Sequence, residues 1–100
     1  MYKVLIADDE TFVRSLLEKN LQASGLAIQI CASAEDGEEA LQKALEVRPD
    51  IIVTDISMPF KNGLELIREL QEQGIVTKNI IISGYDEFDY AKTAIALGVT

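Results

Sequence analysis

Two hydrophobic periods alternate along the chain, and this alternation restricts the fold more than any other feature. Short aliphatic runs occupy Tyr2–Ala7, Leu26–Cys31, Ile51–Thr54 and Asn79–Ser83. Three of them are apolar almost throughout ("VLIA", "IIV", "III"), as expected of parallel strands covered on both faces. Segments of helical spacing fill the intervals. Val13, Leu16, Leu17 and Leu21 share one face, as do Ala40, Leu41, Ala44 and Leu45. Leu66, Ile67 and Leu70 repeat the pattern, and so do Ala91, Ala94 and Ile95,. Gly25, Gly74 and Gly98 follow the first, third and fourth helices, where a left-handed residue is wanted,. Ser33 followed by Asp36 reads as a variant N-terminal cap for the second helix. Pro49 and Pro59 fall outside the periodic segments. Four strand–helix units in succession predict an α/β fold: a parallel sheet with right-handed crossovers and helices on both faces.

Length and composition then narrow the function. With 100 residues the chain is expected to form one domain, 1–100,. A hydrophobic share of 48% with only 2 prolines sets it apart from disordered chains,. The net charge of −8 repels nucleic acid phosphates and suits a divalent cation,. The chain has no histidine, so no imidazole of its own serves as base, ligand or phosphodonor,. A single cysteine, Cys31, has no internal disulfide partner and reads as a small buried apolar residue,. No apolar run approaches the roughly 20 residues of a membrane helix, and the N-terminus lacks a leader pattern. A cytoplasmic domain without a membrane partner is the expectation.

In such sheets ligands sit beyond the carboxyl ends of the strands, where the strand order reverses. Asp8, Asp9 and Glu10 follow the first run, Asp55 the third, and Ser83–Gly84 the fourth. If the first and third strands are neighbours, Asp8, Asp9 and Asp55 meet in one crevice. Carboxylates a few ångström apart repel, and burial sharpens the conflict. A Mg2+ ion, which prefers oxygen ligands, would remove it. Asp8 and Asp9 have a second reading, as favourable charges at the N-terminus of the first helix. That reading leaves Asp55 unexplained. A carboxylate is also a nucleophile towards phosphorus, and Ser83 is either a hydroxyl partner for such chemistry or a plain turn residue. In "DISMPFKNG", Asp55 to Gly63, Pro59 stiffens the loop and Gly63 permits a tight start to the third helix. A loop of this kind can aim the Ser57 backbone carbonyl at a cation. No glycine-rich nucleotide loop is found. Phosphatases that form an aspartyl phosphate usually carry a second acid two residues later, where this chain has Ser57.

"ADDE", "DISMPFKNG" and "IIISGYDEF" stand in the order and at the spacing of the receiver domain of two-component response regulators, which the whole chain resembles. The resemblance implies a flavodoxin-like doubly wound sheet of strand order 2-1-3-4. It implies that Asp55 is the phosphoacceptor, that Asp8, Asp9, Asp55 and the Ser57 carbonyl hold Mg2+, and that Ser83 contacts the phosphoryl group and acts as a switch. The phosphoryl group would come from a histidine kinase. Such a domain promotes its own phosphorylation and dephosphorylation and is not a turnover enzyme. "SGYDEFDYA" resembles receivers joined to AraC-type DNA-binding domains, so any contact with DNA belongs to an output domain outside this chain.

The sequence departs from the family at "ALGVT". Family members continue into a fifth strand with a Lys-Pro pair and a fifth helix. Lys78 and Lys92 do not replace that lysine, since neither ends a strand. The expectation is impaired phosphorylation and a fourth strand left as an edge, inviting self-association. The alternative is a truncated or engineered fragment, a self-associating structural module with a vestigial metal site.

Overall fold

The computed structural model describes residues 1–82. Its elements run β1 (Tyr2–Ala7), α1 (Thr11–Ala23), β2 (Ile28–Ala34), α2 (Gly37–Val47), β3 (Ile51–Asp55), α3 (Gly63–Glu72) and β4 (Lys78–Ile82). The helix expected around Ala91, Ala94 and Ile95, and its closing Gly98, lie outside the described residues. All strand pairs are parallel, and the sheet order is β2-β1-β3-β4. This is the doubly wound order expected: the chain leaves β1 for one side of the sheet and returns past it to reach β3.

Successive residues of β1 serve opposite faces, which explains its unbroken apolar run. Leu5 and Ala7 join Ile52 in one core with Ala40 and Ala44 of α2 and Leu66 and Leu70 of α3. Val4, Ile6 and Val53 form the other, against Leu17 and Leu21 of α1. α2 and α3 therefore cover one face and α1 the other. Of the four apolar positions expected on α1, Leu17 and Leu21 meet the sheet, while Leu16 is 46% exposed and no residue of the helix is fully buried. Among the described residues α1 alone covers this face, meeting the sheet through Leu17 and Leu21.

Local chemistry sets the boundaries. Gly25 and Gly74 adopt φ of +78° and +77° after α1 and α3, as expected,. The second strand runs later than its apolar pattern suggested, to Ala34 rather than Cys31. The cause is a bulge. Val4 pairs with Ile30 but Leu5 pairs with Ala32, so Cys31 is the extra residue, its thiol lying 3.3 Å from the Val4 carbonyl,. Ser33 is consequently a strand residue, and the capping expectation is corrected: Asp36 is the N-cap of α2, accepting the Glu39 N–H at 2.7 Å,. α3 opens with a reciprocal capping box between Asn62 and Glu65,.

Two glycines fix the β3–α3 loop at close quarters. A Cβ on Gly63 would overlap the Asp55 carbonyl, and one on Gly37 would overlap the Lys61 backbone. Gly63→Ala is therefore expected to lower stability by about 1–3 kcal/mol through overpacking against main chain. A urea denaturation curve checks this; a midpoint equal to wild type would show that the loop yields freely.

Candidate functional site at the carboxyl ends of the strands

The site follows from register. Val4 to Ala7 of β1 lie opposite Ile51 to Thr54 of β3, so the next residues, Asp8 and Asp55, emerge side by side. This is the point where the strand order reverses, the usual ligand crevice of such sheets. Asp8 is 3% exposed, a burial rare for a carboxylate,. Its N–H donates to the Ala34 carbonyl at 3.0 Å, tying the end of β1 to β2. One carboxylate oxygen, Oδ1, accepts the Glu10 N–H at 2.8 Å.

Asp55 is half-buried. Its Oδ1 accepts the Ile56 N–H at 2.8 Å, and the Ser57 N–H also hydrogen-bonds the carboxylate. Burial is the largest influence on its pKa, with the Asp8 charge next and Asp9 adding to it. These outweigh the two N–H groups and push it up to about 6,. The Asp8 carboxyl is also raised, first by burial, then by Asp9 and Glu10, against the opposing Glu10 N–H and the Arg14 charge. Asp55 thus lies within electrostatic reach of both Asp8 and Asp9.

The tightest cluster of oxygens differs from the expected one. Among the described residues, carboxylates of Asp8, Asp9 and Glu10 offer oxygens within 4.8 Å of one another. Glu10 follows the same strand but has no role in the ligand set expected from the sequence. It is the N-cap residue of α1, with no side-chain cap of its own, and so it is carried beside the aspartates by chain continuity. Ser57 is exposed on the loop, with its N–H turned to Asp55. Ser83 lies outside the described residues. β4 ends at Ile82, the register partner of Asp55. Lys78 begins β4 at the opposite end of the sheet, as expected, and Lys92 lies outside the described residues.

Sequence reasoning missed Arg14. Its guanidinium donates to the Asp8 carbonyl at 2.6 Å and to Thr11 Oγ1 at 3.2 Å. The missed signal was a basic residue one helical turn after an acid cluster. Also unforeseen was Phe60, 79% exposed at φ +68° beside the acids, lining with Asp9, Glu35, Asp36 and Pro59 an open hollow of about 340 Å³. The all-oxygen donor set, with a carboxylate as deeply buried as Asp8, fits a hard divalent cation.

Known proteins resemble this chain in sequence and in fold. The chain is 36% identical over 99 residues to the transcriptional regulatory protein YesN of Bacillus subtilis, covering 99% of this chain and 27% of that protein. The receiver domain of the response regulator AraT from Geobacillus stearothermophilus is 42% identical, with a TM-score of 0.80 over 98% of this chain and 76% of that one. The chemotaxis protein CheY4 of Vibrio cholerae is 30% identical, with a TM-score of 0.83 over 100% of this chain and 82% of its own. The chain spans about a quarter to a third of the length of the curated relatives it matches. Residues 4–100 match the response regulator receiver domain, and the chain belongs to that family.

Proposed function

We propose that this domain accepts a phosphoryl group onto Asp55 from a phosphohistidine donor, a histidine kinase, with Mg2+ held by Asp8, Asp9, Asp55 and the Ser57 carbonyl. The observation that carries the reading is the side-by-side emergence of Asp8 and Asp55 from paired strands. When bound, the cation would neutralise the acids and the incoming phosphoryl oxygens. Asp55 attacks through one carboxylate oxygen. As the oxygen–phosphorus bond forms, the bond from phosphorus to the donor nitrogen breaks, and the released imidazole takes a proton from solvent. Positioning and charge neutralisation carry most of such a transfer. The Ile56 and Ser57 N–H groups orient the nucleophile. Ser83 is proposed as the hydroxyl partner and switch.

The domain is read as a signalling acceptor that promotes its own modification, not as a turnover enzyme. YesN is a transcriptional regulatory protein of which this chain matches 27%, which supports an output in transcription; that this output is an AraC-type DNA-binding domain is proposed from the resemblance of "SGYDEFDYA". No described helix is long and apolar enough to cross a membrane, and the proposed setting is the cytoplasm.

Incubation with Mg2+ and a small phosphodonor, followed by intact mass, tests the acceptor. Wild type should gain one phosphoryl group labile to base and to hydroxylamine, as an acyl phosphate is, and Asp55→Asn none; equal labelling of both would refute Asp55.

A second expectation concerns pH. In metal-free protein the folded Asp55 keeps its proton up to about pH 6, while the ordinary value is 3.8. The folded state binds more protons in that window, so stability is full below it and falls as pH rises through about 6,. Thermal melts of wild type should therefore drop between pH 4 and 7, Asp55→Asn should drop less, and Mg2+ should restore wild type at pH 7. Parallel pH profiles for the two proteins would contradict the assignment.

A further inference from the structure

We propose that Arg14 is a positioning residue for the acid cluster, holding the β1–α1 turn so that Asp8 and Asp9 face a divalent cation together, with Glu10 kept beside them. The inference rests on the Mg2+ reading above and assigns it a residue outside the ligand set.

Among the described residues, few other contacts hold this turn. Helices usually begin with a side chain accepting an N–H of the first turn, yet Glu10, the N-cap of α1, makes no such bond. The segment is tied at its start by the Asp8 N–H on the Ala34 carbonyl and inside by the Glu10 N–H on Asp8 Oδ1. Beyond that, the half-buried Arg14 reaches back from α1. One arm of its fork binds the Asp8 carbonyl and the other Thr11 Oγ1. Fixing the Asp8 carbonyl fixes the peptide plane between Asp8 and Asp9, and hence the direction in which the Asp9 and Glu10 carboxylates leave the chain. The planar guanidinium suits such a two-point tether, and an ammonium does not.

Two roles for this residue predict opposite signs. A positive charge beside the acids repels an incoming cation, so a purely electrostatic Arg14 would weaken Mg2+ binding and its removal would tighten it. A tether preorganises the ligands, and its removal would loosen binding; partners that orient ligands commonly contribute 10- to 100-fold in affinity.

The test is a Mg2+ titration followed by the backbone amide signals of Asp9 and Glu10, on wild type, Arg14→Ala and Arg14→Lys. Each is measured below its own unfolding transition, so a loss of stability alone leaves affinity unmoved. The expected result is a Kd raised about 10-fold in both variants, with the lysine failing to rescue although it keeps the charge. Unchanged affinity in Arg14→Lys, or unchanged or tighter binding in Arg14→Ala, overturns the proposal while leaving the metal site standing. A wild-type chain that takes up no Mg2+ refutes the metal site itself, and this proposal with it.

Discussion

The parallel pairing of β1 with β3 is the constraint on which the rest depends. Both strands are buried from both faces, so neither can slip by one residue without turning Leu5, Ile6, Ile52 and Val53 towards the wrong layer,. With that register fixed, Asp8 and Asp55 have no choice of place. Hydrophobic packing thus sets two carboxylates together that electrostatics alone would separate. Burial first, and the neighbouring carboxylate second, leave these groups reluctant to give up their protons, above all at Asp55.

Much of this was legible in the chain itself. The fold follows from runs such as "VLIA" and "IIV", because a strand apolar on both sides has few places to go except the middle of a layered sheet,. The strand-end acids follow too, since Asp8 and Asp55 each come immediately after or at the close of such a run. Cys31 and Ser33 were harder. A bulge leaves no mark in hydrophobic periodicity, so the pattern seemed to end where the strand in fact shifts register and continues. Arg14 was hidden for a different reason: its partners are a backbone carbonyl and the hydroxyl of Thr11, and main-chain acceptors carry no sequence signature. Glu10 was visible as an acid but not as a neighbour, because a helix start places side chains by dihedral angles that spacing does not encode.

Neighbouring backbones shape the site as much as its side chains do. The Asp55 carboxylate is oriented by two N–H groups of its own loop. That loop is held at its far end by the Gly63 N–H on the Ile56 carbonyl at 2.8 Å and by the capping box of α3. Lys61 adds an ion pair with Glu69 at 3.2 Å. The loop therefore belongs mechanically to α3.

The glycines at 37 and 63 carry this one step further. Each marks a spot where main chain presses on main chain with no room for a methyl group. Such spots act as pins: they fix two points of the loop and leave the span between them to vary. Phe60, standing clear of the surface, takes no part in either contact, so the height of Asp55 above the sheet is set by main chain rather than by the side chains of its loop.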